Sequence, residues 1–368
     1  MSVGVLFGGP TPEHDISILT GLLALHELER SGSDAIGMYW TKTGAFYSVP
    51  RGVEAEAFLD GLPKGSSELS LRLGDRGGFF ASARMGKDRA VDLEAVVLAT
   101  HGGPGEDGSL QAALDLAGIC YTGPTVAGAA LGMDKWSFGV VVGSVGIPTL
   151  PRVLLDASTT TLPFDGPYIL KPRFGGSSIG IDVVADVATA RARLSSNPHL
   201  ALGCVVEPYR SDLADIQIAV RTYPALTLSA IERPLRRTDQ SEILDYRDKY
   251  VGGEGMVSAP RELPAVMPEA QAVAVRHYTA QIAEVASVRG VARVDFLSGD
   301  DDELYVNEIN TIPGSLAKHL FVDPPLAFGE LLRDLIAEAV QRPAHRYSAA
   351  GADGQVLRRA TSIASKLA

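Results

Sequence analysis

Residues 291–310 read VARVDFLSGDDDELYVNEIN. Two runs of alternating apolar and polar residues flank the turn formers of residues 298–303, a pattern that predicts an antiparallel hairpin. With the turn centred between Asp301 and Asp302, Asp295 lies opposite Glu308 and Arg293 opposite Asn310. Side chains at i and i+2 share a face, so two carboxylates, an amide and a guanidinium project to one side of the sheet. Val294, Phe296, Val306 and Ile309 are left for the core side. Hard oxygen donors grouped in this way suit Mg2+, which is commonly held by one or two carboxylates together with substrate phosphates. A solvated face with an incidental ion pair is the other use of the same residues.

Upstream, residues 168–184 read YILKPRFGGSSIGIDVV, a second strand–loop–strand run. Its loop sets flexible backbone N–H groups and the hydroxyls of Ser177 and Ser178 next to Lys171, the ingredients of a phosphate cradle. It is not a Walker motif, since GxxxxGK[ST] occurs nowhere in the chain. Residues 176–180 fit GxSxG with Ser178 at the nucleophile position, but that motif needs a strand-to-helix turn and here a strand follows. Lys135, in GMDKWSFG, and Lys171 are candidates for nucleotide phosphates. Glu207 ends the strand CVVE before Pro208 and is either an acceptor for an adenine amino group or a strand-end acid in water.

The N-terminal third reads differently. Residues 3–7 form an apolar strand leading into Gly8-Gly9-Pro10 and a helical spacing over 16–28; AVVLAT at 95–100 leads into HGGPGEDG and the helix SLQAALDLAG. Such alternation predicts a parallel sheet with loops gathered at the strand C-termini. The expected organisation is an α/β part at 1–122, two α+β parts at 123–206 and 207–342, and a tail at 343–368 that could end in an amphipathic helix.

A length of 368 residues is room for two or three domains. Lys+Arg 33 against Asp+Glu 44 gives a net charge of −11, which disfavours a nucleic-acid partner. Cys120 and Cys204 are too few for a disulfide framework or a thiolate zinc site. The N-terminus reads as a strand and not an export signal, and the apolar runs fall short of the ~20 residues of a membrane span. A cytoplasmic protein without a membrane partner is expected.

Seven segments then carry a resemblance: LFGGPTPEHDIS (6–17), HGGPGEDGSLQ (101–111), YTGPTVAGAALGMDK (121–135), LKPRFGGSSIG (170–180), DYRDKY (245–250), ARVDF (292–296) and NEINTIPG (307–314). In order and spacing they resemble the D-alanine–D-alanine ligases of the ATP-grasp superfamily, over residues 1 to about 342. The resemblance implies an ATP-grasp fold behind an N-terminal parallel-sheet domain, and an ATP-dependent ligase joining two amino acids through an acyl phosphate in cell-wall synthesis. It implies ATP, Mg2+ (two ions, with Mn2+ as a substitute), amino-acid substrates and a homodimer. Residue by residue, it gives Lys135, Lys171 and Glu207 to ATP, beside Ser178 of the cradle loop read above, with Asp215 at the ribose, and Asp295, Glu308 and Asn310 to the metal. Glu13 would hold the donor ammonium, Ser177 and Tyr250 would close a mobile loop over it, and Lys249 would lie beside the transferred phosphoryl group. Arg293 and the N–H of Gly314 would form the oxyanion hole, under a lid at 245–255 hinged at Gly252 and Gly253. A relative using a different acceptor amine in secondary metabolism, and a non-catalytic nucleotide-binding regulator, are the alternatives; the regulator predicts a lost metal ligand.

Two stretches depart from the family pattern. Phe174 and Gly175 replace a small or polar residue and an acidic one in the phosphate loop, so its ion pair is expected to be missing. After Gly314 the family's Thr and Ser hydroxyls give way to Ser315, Leu316, Ala317, Lys318 and His319. Lys318, His319 and Leu320 are therefore expected to line a positively charged acceptor pocket for which D-alanine is a poor fit.

Overall fold

A computed structural model of the chain describes residues 1–83, 86–235, 260–300, 303–343 and 348–359. Strand β1 (Ser2–Gly8) buries Val3, Val5, Leu6 and Phe7 and pairs in parallel with β2 (Ala35–Trp40) and β7 (Leu93–Leu98). A strand covered on both faces needs such an unbroken apolar run. Helix α1 (His14–Arg30) is the crossover, burying Ile18, Leu22, Leu25 and Leu28 at helical spacing. This is the expected parallel unit. An antiparallel meander extends it, through β3 (Phe46–Ser48), β4 (Ser67–Arg72), β5 (Gly78–Ala81) and β6 (Arg89–Ala90), to give the order β6-β5-β4-β3-β2-β1-β7. No residue of those four added strands is β-branched, which is why the sequence does not announce them.

After β7 come the short helices α2 (Gly103–Glu106), α3 (Ser109–Leu116), α4 (Val126–Met133) and α5 (Lys135–Ser144). The second sheet, of order β10-β9-β11-β8, is built from β8 (Val153–Leu155), β9 (Tyr168–Pro172), β10 (Asp182–Val184) and β11 (Cys204–Pro208), with helix α6 (Val187–Ser196) between the last two. β9 and β10 form the expected hairpin. The third sheet, order β14-β13-β12-β15-β16, comprises β12 (Ala214–Arg221), β13 (Thr227–Pro234), β14 (Arg261–Glu262), β15 (Val291–Ser298) and β16 (Leu304–Asn310). Helix α7 (Glu269–Val285) packs on it through Val275, Ile282 and Ala283.

The β15–β16 register corrects the expectation in one respect. Arg293 does face Asn310, and Asp295 does face Glu308, but beyond Asp295 the register slips by one residue so that Phe296 pairs with Val306. The extra residue is Asn307, a β-bulge. Strict alternation would put Val306 and Ile309 on opposite faces, yet both enter one core, at 2% and 5% exposure. The bulge reconciles them and turns Asn307 to the same side as Glu308.

Helix α8 (Phe328–Gln341) closes the core of the first sheet with Leu331, Leu332 and Leu335, and the turn after β16 enters that core through Ile312, Leu316, Ala317 and Leu320. Helix α9 (Gln355–Arg359) is the described part of the expected terminal helix. Among the described residues no helix is long and apolar enough to cross a membrane.

Candidate active site

The cleft between the second and third sheets gathers Lys135, Lys171, Ser178, Glu207, Asp215, Asp295 and Glu308. Lys171, on β9, donates from Nζ to Glu207 Oε2 at 2.6 Å and to Asn307 Oδ1 at 2.8 Å. Glu207 is 1% exposed, with its other oxygen 3.2 Å from Arg152 Nη2. Burial alone would raise its pKa, but the Lys171 and Arg152 charges hold it below the ordinary carboxylate value. It is an enclosed ion pair and not an acid in water. Arg152 and Asn307 carried no sequence reading, although the parity clash between Val306 and Ile309 signals the bulge that presents Asn307.

Lys135 opens α5, whose N-cap Asp134 accepts from the Trp136 and Ser137 N–H groups. Its Nζ donates to Gly175 O at 2.7 Å and lies 2.7 Å from Glu308 Oε2. The base of the phosphate loop is nonetheless tied down by an ion pair from another position. Asp134 takes two hydrogen bonds from Arg173, at 2.8 and 2.6 Å, and so pins the base of the loop from the helix side. Farther along, the Ser177 hydroxyl donates to the Glu13 carboxylate, bringing the loop onto the first sheet. Gly102, with φ +63°, permits this: a Cβ there would stand 2.3 Å from Glu13 Oε2. The loop joins two strands, so Ser178 is not at a hydrolase elbow. Lys249, Tyr250 and the proposed lid lie outside the described residues.

On the hairpin, Asp295 accepts from Arg293 Nε at 2.6 Å, Arg293 Nη2 at 2.8 Å and Asn310 Nδ2 at 3.1 Å. Among the described residues no three His, Cys, Asp or Glu side chains cluster as a metal site. The donor set is instead two carboxylates and one amide oxygen, each carboxylate matched by a cation, Arg293 or Lys135. That composition fits a divalent ion that takes its remaining ligands from phosphates and water.

The turn after β16 is held from the first sheet. Ser315, Leu316 and Ala317 all have left-handed backbone, with φ 51, 50 and 53°. Thr20 Oγ1 accepts from Ser315 N at 3.1 Å; His101 spans from Thr20 Oγ1 to Ile312 O, both at 2.8 Å. Glu106 Oε1 accepts from Ile312 N at 2.8 Å and its Oε2 from Gly102 N at 3.0 Å. Sequence reading missed Glu106 because its partner is 206 residues away. Burial, then the neighbouring Glu13, pushes the Glu106 carboxyl up to about 7, while burial pushes His101 down to about 4. The raised Glu106 stabilises the fold fully below pH ~4.5 and ceases to do so as pH rises through about 7; the lowered His101 acts in the opposite sense. Relative to the wild type, Glu106→Gln should therefore gain about 3 kcal/mol in unfolding free energy between pH 4.5 and pH 8. Parallel urea curves across that range would exclude it.

Of the three residues expected around the acceptor, Leu320 is wholly enclosed in the first sheet's core and cannot line a pocket. Lys318 lies 5.1 Å over the Phe328 ring, and His319 faces Glu232 at 3.3 Å. These three side chains do not converge on one positively charged pocket.

Family models described as D-ala D-ala ligase N-terminus and D-ala D-ala ligase C-terminus match residues 2–124 and 152–341. The chain belongs to the D-alanine–D-alanine ligase family. A D-alanine–D-alanine ligase of Campylobacter lari is 31% identical over 88% of this chain and 90% of its own length; one of Mycobacterium bovis is 29% identical over 92% and 95%. Among solved structures, a D-alanine–D-alanine ligase from Helicobacter pylori matches with TM-score 0.71 and 24% identity over 91% of this chain and 98% of that one. A D-Ala:D-Ser ligase from Enterococcus faecalis matches with TM-score 0.73 and 21% identity over 92% and 99%. The α/β and α+β architecture is thus the ATP-grasp fold of this family. Membership makes the chain an ATP-dependent ligase that forms a C–N bond between amino-acid substrates.

Proposed function

We propose that the chain activates the carboxylate of D-alanine with ATP and joins it to a second amino acid, as a step in making a peptidoglycan precursor. The observation that carries this is the meeting of Lys135, Lys171, Asp295, Glu308 and Glu13 around one loop. A carboxylate is a poor electrophile, so the γ-phosphoryl group is moved onto it, a reaction that depends on positioning and charge neutralisation. Lys135, Lys171 and the Ser178 loop hold the phosphates, Glu207 takes the adenine edge and Asp215 the ribose. Asp295, Glu308 and Asn310 would hold Mg2+, two ions in all or Mn2+ in their place, which supplies charge neutralisation at the phosphates. Glu13 pairs with the donor ammonium while Ser177, with Tyr250, ties the loop down and keeps water from the acyl phosphate.

Attack by the second amine places negative charge on the former carboxyl oxygen, which Arg293 and the Gly314 N–H receive. A donor of that kind is worth about 3–4 kcal/mol. Lys249 belongs beside the transferred phosphoryl group, and a cytoplasmic homodimer completes the reading. His319, where the family pattern has a hydroxyl, favours as a second reading a different acceptor amine in secondary metabolism. The regulator reading has no support, since all three metal-ligand positions are filled.

The test is to supply D-alanine, ATP and Mg2+ with hydroxylamine and no acceptor. D-alanyl hydroxamate and phosphate should appear in equal amounts. Peptide product without hydroxamate would overturn the acyl-phosphate route, and a panel of acceptors read by product mass separates the two readings.

A further inference from the structure

Glu232 is a carboxylate that the mechanism above leaves idle, and it is only 4% exposed. It stands on β13 opposite Gln217 of β12, which stands opposite Asp295 of β15. It therefore shares the cleft face with the proposed metal ligands. Its Oε1 lies 3.2 Å from Arg261 Nη1 and its Oε2 lies 3.3 Å from His319 Nε2.

An ionised carboxylate can only accept, so His319 Nε2 carries the hydrogen of this contact and Nδ1 is the ring nitrogen left to accept. Among the described residues Nδ1 has no hydrogen-bond partner. Arg261 already offsets the charge of Glu232, and Arg293 is close enough to act on the same carboxylate. Glu232 accordingly supplies orientation more than charge. Lys318 is turned to Phe328, so among the described residues the charged group in contact with the ring is Glu232, with Arg261 and Arg293 acting on that carboxylate. His319 is also the penultimate residue of the turn that Gly314 opens, and the proposed oxyanion donor Arg293 acts on the same Glu232.

An acceptor amino acid arrives at neutral pH as an ammonium, which has no lone pair for attack. We infer that His319 is the general base that takes the acceptor's proton and that Glu232 is the residue that positions it, an assignment that rests on the ligase reading above. An N–H bond of the ammonium breaks as Nδ1–H forms, and the freed pair makes the C–N bond at the acyl carbon. Collapse of the adduct breaks the C–O bond to phosphate, which leaves with that electron pair. The remaining surplus proton on nitrogen passes to the departing phosphate, and the imidazolium returns its own to water.

Hydroxylamine, unprotonated at pH 7, needs no base, so it separates this step from donor activation. With donor and ATP fixed, ligation to the best amino-acid acceptor of a panel should fall about 100-fold at pH 7 in His319→Gln. It should fall between about 10- and 100-fold in the near-isosteric Glu232→Gln. Hydroxamate formation should stay at the wild-type rate in both, which also reports an intact fold. The His319→Gln deficit should shrink as pH rises to where the acceptor amine is itself unprotonated. A deficit constant with pH, or hydroxamate formation falling in step with ligation, overturns the assignment. Absence of hydroxamate in the wild type overturns the proposed activation of D-alanine as an acyl phosphate and this inference with it.

Discussion

Asp295→Asn and Glu308→Gln are each expected to lower kcat/KM by about 1,000-fold or more, the loss of several kcal/mol of charge stabilisation at the phosphates. Both side chains line the cleft, and the core side of the same strands is carried by Val294, Phe296 and Ile309. The fold should therefore survive, with unfolding free energy within about 2 kcal/mol of wild type. Asp295→Asn carries a second penalty. The carboxylate holds Arg293 through two hydrogen bonds at 2.6 and 2.8 Å, and an amide cannot accept both, so the oxyanion donor loses its fixed direction. Glu308→Gln instead releases Lys135, which is free to bind phosphate but faces it without a metal. Phosphate release with saturating substrates, read beside thermal unfolding, checks both variants, and turnover retained in both would refute the metal face.

Lys171→Met should be the most damaging single change in the nucleotide half of the cleft. It leaves Glu207 enclosed with Arg152 alone, and removing one partner of a buried pair costs about 3 kcal/mol or more. ATP affinity should fall in the same variant. Adding Glu207→Gln removes the stranded charge, so the double variant should recover most of the stability while ATP binding stays weak. Urea denaturation and calorimetric titration with ATP separate the two effects. A single variant as stable as wild type would contradict the enclosed pair, and a double variant with full ATP affinity would remove Lys171 from the phosphates.

The hairpin at the centre of the site is legible from sequence because its chemistry is local. Arg293 and Asp295 on one strand, and Glu308 and Asn310 on the other, are each two residues apart and so share a face whatever the rest of the chain does. The bulge is legible too, through the spacing of Val306 and Ile309. The pairings that complete the site are not. Asp134 with Arg173, Glu106 with Ile312 and Glu232 with His319 are separated by 39, 206 and 87 residues. No periodicity reports a contact made only when sheets are brought together. The phosphate loop shows the consequence: its base is pinned by Asp134 at the start of a neighbouring helix, a contact the loop's own sequence does not announce.

The left-handed run at Ser315, Leu316 and Ala317 costs roughly 1–2 kcal/mol per residue, and what offsets it belongs to Thr20, His101 and Glu106, with Leu316 and Ala317 sunk in the first sheet's core. The segment that carries His319 is therefore not a portable cassette. Moved alone into a chain that lacks Thr20, His101 and Glu106 it would relax to right-handed backbone, carrying His319 elsewhere. The turn depends on both ends of the chain, and recombination that joins it to a foreign N-terminal part lacking Thr20, His101 or Glu106 should displace it while leaving the nucleotide cleft alone.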